Sequence, residues 1–379
     1  MKLMEAIDFN PKESLHKNSQ AKKIGMEKLS PFYKYIDSYE YEKYSGGSKF
    51  RNGDTIVARI TPCLENGKTA FIDFLDEKEI AFGSTEFIVM RAKEGITIPE
   101  YVYYLAISPW FRNKAISLMT GTSGRQRVQV DPLKLEDYNI PSVATQKKIV
   151  KLLSNIDSKI KLNNEMNNNL HELINQNYSK YLNELDECIE LNIKDIFDFE
   201  TGVEPGSKNY LEKSDDNSIK FYRVGDMNSE CNTFINEELS NGKLIDEDDI
   251  VVSFDATIGR IGYGLNGAYS TGMKKISINS KYKNIVDNSL VYAYFNNKDI
   301  QNIMMENARG TTILHASSSI DFMNFKYNES LLKKYSKFIS VAFDKMKSIK
   351  SENEKLSKLR DTLLPKLMNG EIDLDNIEI

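Results

Sequence analysis

The strongest constraint on this chain is an internal repeat. A shift of 189 residues, about half the length of 379, aligns residues 101–175 with 290–364 without a gap. Val102-Tyr103 meets Val291-Tyr292, Asn113 meets Asn302, and Gly121-Thr122 meets Gly310-Thr311. Further on, Lys148 meets Lys337, Ile160-Lys161 meets Ile349-Lys350, Asn164-Glu165 meets Asn353-Glu354, and Leu170 meets Leu359. A period this long means two domains rather than a solenoid of short repeats, and the length leaves each domain enough chain to bury a core.

The repeat extends to the order of predicted elements. In the first half, Phe50–Asp54 turns into a β-type run, Thr55–Ile60; in the second, Glu247–Asp249 turns into Ile250–Phe254. Gly/Asn turns follow, then strand-like stretches at Glu86–Met90 and Lys275–Ile278. A helical segment comes next in each half, Pro99–Met119 and Ser289–Asn307, each ending at a Gly-Thr loop.

Each half closes on a heptad-like segment. Leu153, Ile156, Ile160, Asn163, Asn167, Leu170 and Ile174 fall on one stripe. Ala342, Met346, Ile349, Asn353, Leu356 and Leu363 form another, with Leu359 beside it. Four-three spacing reads as coiled-coil helices, with the asparagines setting register at a cost in stability. Stripes this narrow need a partner. The simplest is the other helix of the same chain, antiparallel; the alternative is that each helix packs on its own domain. The expected architecture is α+β, with two mixed α/β domains in pseudo-two-fold repeat separated by two long antiparallel helices. The corresponding segments are 1–145, 146–187, 188–333 and 334–379.

Charge and composition narrow the function. The net charge of −5 argues against nucleic acid taken whole, but it is unevenly spread. Residues 101–150 hold 7 basic against 3 acidic side chains and 251–350 hold 14 against 7, whereas 151–250 hold 10 against 22. Two basic stretches around an acidic middle suit two anion-binding faces, although solvated surface charge would look the same. Cys63, Cys188 and Cys231 are scattered, as are His16, His171 and His315, so neither a disulfide framework nor a metal site is expected. No apolar run approaches the ~20 residues of a membrane helix, and Met1–Ala6 lack a secretory apolar core. A cytoplasmic protein without a membrane role is expected.

Enzyme motifs fail on inspection. Gly262–Gly267 matches G-x-G-x-x-G but leads into another strand-like run, so a Gly-rich turn is expected there. His171-Glu172 lacks its second histidine, because position 175 is Asn175. Asp157-Ser158-Lys159 resembles the end of a nuclease D-x-K but sits on the heptad helix. No catalytic residue is assigned.

The Gly-Thr loops differ from these. Thr122, Ser123, Arg125, Gln126 and Arg127 surround two glycines, and Arg309, Thr311, Thr312 and His315 surround the equivalent Gly310. Glycines let backbone N–H groups approach phosphates, while Arg and Gln can read guanine and adenine edges. Two equivalent loops ahead of two long helices point to a duplicated nucleic-acid reader. Arg59, Lys68, Ser84 and Thr85 in the first half, and Arg223, Arg260, Lys274 and Lys275 in the second, join the candidate DNA contacts.

The layout resembles the specificity subunit of type I restriction–modification systems. Gly53–Lys68, Phe82–Phe87 and Thr120–Arg127 are similar to segments of that family's first recognition domain. Gln146–Val150 running to Ile160, and the ending Leu363–Ile372, resemble its helices; residues 190–330 match mainly in layout. The resemblance implies two target-recognition domains, each reading half of a split double-stranded DNA target. It also implies helices that dock two adenine methyltransferase subunits, with two restriction subunits joining in some systems. Ile156, Ile160, Asn163, Asn167, Leu170, Ile174, Met346, Ile349, Asn353, Leu356 and Leu363 would serve helix pairing and docking. The chain itself would bind no cofactor, since S-adenosylmethionine, ATP and Mg2+ belong to the partners. Rival readings are a recognition subunit of a related methylation system lacking a restriction partner, a solitary DNA enzyme, and a coiled-coil scaffold with no DNA role.

Overall fold

A computed structural model describes residues 1–122, 124–227, 231–372 and 374. Contacts divide the chain into two units, residues 1–162 with 354–379, and residues 163–353.

In the first unit, α1 (Leu3–Ala6) leads into β1 (Ile7–Phe9), β2 (Gln20–Ile24), β3 (Glu40–Lys43) and β4 (Ser48–Phe50). Then come β5 (Thr55–Ala58), β6 (Thr69–Phe71), β7 (Ala81–Gly83) and β8 (Phe87–Ala92). Helices α2 (Pro99–Ile107) and α3 (Pro109–Ser117) follow, then β9 (Met119–Thr120), β10 (Arg127–Val128), α4 (Val130–Lys134) and the long α5 (Val143–Asn183). One sheet has the order β1-β8-β5-β6; the other, β3-β2-β7-β4, contains a parallel β2/β7 pair. Every residue of β5 is buried, because alternate side chains enter different cores. Ile56 and Val89 pack with Ile24, Phe50 and Ala70, while Val57 and Ile88 pack against the buried Tyr101–Ile107 run of α2.

The second unit repeats this plan. It begins with β11 (Ile189–Asn192), α6 (Ile193–Ile196), β12 (Phe197–Thr201), β13 (Ser218–Tyr222), β14 (Phe234–Asn236) and β15 (Leu244–Ile245). It continues through β16 (Ile250–Ser253), β17 (Ile261–Tyr263), β18 (Gly267–Tyr269), β19 (Met273–Ile278), α7 (Asn288–Asn296), α8 (Lys298–Glu306), β20 (Asn324–Tyr327) and α9 (Glu329–Met368). Its sheets have the orders β12-β19-β16-β17 and β14-β13-β18-β15, again with one parallel pair, β13/β18. Ile250 and Val252 face one core and Val251 another, as in β5. Gly262–Gly267 joins β17 to β18 with no helix after it, as its turn composition suggests.

Two expectations need correction. The single helical segment expected in each half is two helices, broken at Ser108 and at Asn297. Ser108 is extended (φ −63°, ψ 147°) because Pro109 disfavours helical backbone before it, and its hydroxyl caps α3 by accepting from the Phe111 N–H. Asn297 does the same for α8 without a proline, its side chain accepting from Asp299 and Ile300.

The second correction concerns the stripes. Asp157, not Ile156, is buried on the α5 seam, and Arg360 and Leu364, not Leu359 and Leu363, are buried on α9. Ile156, Leu356 and Leu363 are half-buried, and Leu359 is exposed. A helical step of about 100° separates neighbours, so the seam chooses 157 over 156 once a partner can satisfy the carboxylate.

The two packing alternatives both hold. In the first unit, Ile149 and Leu153 of α5 and Leu364, Leu367 and Met368 of α9 belong to the core built on α2. Asp157 pairs there with Arg360, and Lys148 Nζ donates to the Leu374 carbonyl (3.0 Å) just past the end of α9, so the helices run antiparallel. In the second unit, Ile174, Tyr178 and Tyr181 share a core with Leu332, Tyr335, Ile339 and Met346, with Leu170 packed against it. Asn163 Nδ2 donates to Asn353 Oδ1 (2.8 Å) and Glu352 Oε2 (2.9 Å), and Asn353 Nδ2 donates to Asn164 Oδ1 (2.8 Å). Asn164 and Asn353 are counterparts under the 189-residue shift. Ile160 and Ile349, counterparts likewise, are buried in the first and second unit respectively, while Asn167 is half-buried.

Candidate nucleic-acid interface

In the first unit the Gly-Thr loop is the tip of the β9–β10 hairpin, closed by pairing of Thr120 with Arg127. Gly121 (φ +131°) and Gly124 (φ +78°) take backbone conformations that a side chain would strain. The loop is tied down from below: Thr61 N–H donates to the Gln126 carbonyl (3.0 Å) and Val128 N–H to the Arg59 carbonyl (2.9 Å). Arg127 lays its guanidinium on Glu86, with Nε at 2.9 and 3.0 Å from the two oxygens and Nη2 at 2.8 Å from Oε1. That pairing raises the Arg127 pKa above its ordinary value. Arg125, two residues earlier, is exposed, and its side chain meets no hydrogen-bond or ion-pair partner among the described residues. The braced strands therefore leave the Arg125 guanidinium free among the described residues. Thr122 is exposed beside it, and Ser123 lies outside the described residues.

The other first-half candidates have varied settings. Ser84 Oγ accepts from the Glu86 N–H (3.1 Å), leaving Thr85 exposed at that turn. Arg59 lines a cavity of about 430 Å³ with Lys12, Lys49 and Thr85, and its Nε is buried without a partner among the described residues. Lys68 Nζ donates to the Met26 carbonyl at 3.0 Å.

In the second unit, Arg309 and His315 close the loop through reciprocal backbone hydrogen bonds of 3.0 and 2.8 Å. Gly310 (φ +126°) makes the turn, and Thr311, Thr312 and Ile313 are exposed. His315 Nδ1 lies 2.8 Å from Asp255 Oδ1. Lys274 Nζ donates to Thr201 Oγ1 (2.8 Å) and sits 5.9 Å from the centre of the Phe254 ring; burial pushes its pKa down while the nearby Asp255 opposes the shift. Arg260 reaches the Val224 carbonyl at 3.4 Å. Lys274 thus shares Phe254 and Asp255 with the loop. Lys275, on the other face of β19, pairs with Asp249 at 2.6 Å. Arg223 is held by Asp226 and stacks 5.8 Å from the Tyr210 ring centre.

Sequence reasoning missed Glu86 and Asp255, the carboxylates that hold Arg127 and His315. No local signal marked them, since Glu86 lies 41 positions before Arg127 and Asp255 lies in the turn after β16. Among the described residues, no group of three or more His, Cys, Asp or Glu could hold a metal, and no helix is long and apolar enough to cross a membrane.

Residues 2–172 and 186–350 each match the type I restriction modification DNA specificity domain. The chain belongs to the type I restriction–modification specificity family. It is 21% identical to the type I restriction enzyme HindI specificity subunit of Haemophilus influenzae, over 85% of this chain and 87% of that one. A shorter stretch, 39% of this chain and 26% of the relative, is 30% identical to the EcoAI specificity subunit of Escherichia coli. The fold is similar to the type I restriction–modification S subunit from M. genitalium, with a TM-score of 0.50 at 19% identity over 97% of this chain and 95% of that one. In this specificity chain the two family matches contain the two Gly-Thr loops, one each.

The helices of this family member also carry exposed apolar side chains off the buried seam, of which the heptad reading noted only Leu359. These are Leu162 and Leu359 in the first unit, and Met166, Leu173, Phe338 and Val341 in the second.

Proposed function

We propose that this specificity subunit reads a split target in double-stranded DNA, one recognition domain per half-site. The observation that carries this reading is the duplicated loop: each domain braces a Gly-Thr turn on its own sheet and surrounds it with cationic and hydroxyl side chains. Those groups suit base edges and phosphates. The helix pair docks two adenine methyltransferase subunits, and two restriction subunits join where a system has them. The exposed apolar residues of α5 and α9 support docking, since Ile160, Asn163, Ile174, Met346 and Ile349 are already buried within the units. S-adenosylmethionine, ATP and Mg2+ serve the partners, and this chain contributes specificity without catalysis, in the cytoplasm.

The test is co-expression with a methyltransferase subunit, followed by purification and methylome sequencing. The expected result is a stable complex that methylates adenines in one bipartite motif, while this chain alone modifies nothing. Turnover by the purified chain, or a complex with no sequence preference, overturns the reading.

A further inference from the structure

The two recognition loops close in the same way but differ in length by one residue. Thr120 pairs with Arg127 in the first, and Arg309 pairs with His315 in the second. Counting back from the closing residue, the position held by Arg125 in the first loop is held by Ile313 in the second. The turning glycines agree: a methyl group placed on Gly121 would lie 3.0 Å from the Arg125 carbonyl oxygen, and one on Gly310 would lie 2.0 Å from that of Ile313. Each glycine therefore folds back onto the backbone of its counterpart position.

At that position the second domain presents an isoleucine that is 52% exposed, next to exposed Thr311 and Thr312, with Arg309 and His315 at the base. Isolated exposed apolar residues are ordinary on protein surfaces. This one occupies the place where the other domain aims its free guanidinium, and the adjacent Leu314 is held by the Ala256 N–H at 3.0 Å, so the tip does not fold inward.

We infer that Ile313 reads the 5-methyl group of a thymine in the second half-site. In the major groove the thymine methyl is the apolar group among base-edge donors and acceptors, so an aliphatic side chain there selects A·T pairs. Arg125, in the same place, selects guanine through hydrogen bonds. The inference rests on the DNA-reading function proposed above.

The test uses the complex with its methyltransferase subunit and a duplex carrying the motif found by methylome sequencing. Each thymine of the second half-site is replaced in turn by deoxyuridine, which removes only the methyl group. One replacement should weaken wild-type binding about fivefold, the scale of one lost apolar carbon. The same replacement should change binding of Ile313→Ala by less than about twofold, while Arg125→Ala should respond to it as the wild type does. A second half-site without an A·T pair, a wild type indifferent to every deoxyuridine, or an Ile313→Ala complex that still loses fivefold overturns the inference. In those cases a wild type that still prefers its motif over a scrambled duplex leaves the DNA-reading function standing. Loss of that preference overturns both.

Discussion

Arg360 Nη1 lies 3.1 Å from Asp157 Oδ1, with each side chain only 3% exposed. The pair is fully engaged: Tyr104 OH donates to Asp157 Oδ2 at 2.7 Å, and Arg360 Nη1 also reaches the Phe32 carbonyl at 2.8 Å. Beside it, Lys34 is buried among the rings of Tyr35, Phe71, Tyr103 and Tyr104, and that burial pushes its pKa down. One ion pair thus joins α5, α9, α2 and the segment before β3 within the first unit.

Breaking that pair on one side should be costly. Arg360→Met leaves a buried carboxylate hydrogen-bonded to Tyr104 alone among the described residues, at a cost of about 3–5 kcal/mol. Combining it with Asp157→Leu should restore much of the loss, because two apolar side chains tolerate burial. Urea unfolding of the two variants is the check; a double variant no more stable than Arg360→Met contradicts the account.

Arg125 and Lys68 should fail differently. Arg125→Ala should cost about 1–3 kcal/mol on the cognate duplex and relax one position of the first half-site, leaving the second intact. With Lys68 taken as a contact to a phosphate rather than a base, Lys68→Gln should weaken binding to all sequences alike and reduce the salt slope by about one. Methylome sequencing that returns an unchanged motif for Arg125→Ala removes that residue from the readout.

The long helices should act as the ruler between half-sites. Inserting one heptad after Leu162 and another after Asn353 lengthens each helix by about 10.5 Å while keeping the heptad phase and leaving Asn163 and Asn164 beside Asn353. The two half-site sequences should persist, and the unspecified gap between them should grow by at most about three base pairs at ~3.4 Å per pair. An unchanged gap in the methylated motif contradicts this role.

His171 gives a pH dependence. Its Nδ1 lies 2.7 Å from Tyr292 OH and its Nε2 3.0 Å from the Asn175 side-chain amide, and burial lowers its pKa below the ordinary 6.5 despite the neighbouring Glu172. The unfolded chain therefore takes up a proton near pH 6.5 while the folded chain resists it. Its contribution leaves stability intact above that pH and reduces it as pH falls below. The difference in Tm between about pH 7.5 and 5.5 should be smaller in His171→Gln than in the wild type.

The 189-residue repeat, the order of strands and helices and the presence of two heptad stripes were legible in the chain because they rest on local rules: alternation in strands, 3.6-residue periodicity in helices, and turns built on glycine and asparagine. The break at Ser108 was missed, although Pro109 follows it and a serine is a good cap. Which residue of an adjacent pair matters was not legible. Ile156 and Asp157 fit the stripe almost equally well, and Arg360, 203 positions away, together with Tyr104 makes the aspartate the buried one. Arg125 and Arg127 are the same residue type two positions apart in one loop. Glu86, 41 positions before Arg127, ties that side chain down, while Arg125 stays free among the described residues. Local propensity sets the backbone, but a charge is satisfied by whatever opposite charge the fold brings within about 3 Å, and that neighbour is chosen by tertiary packing.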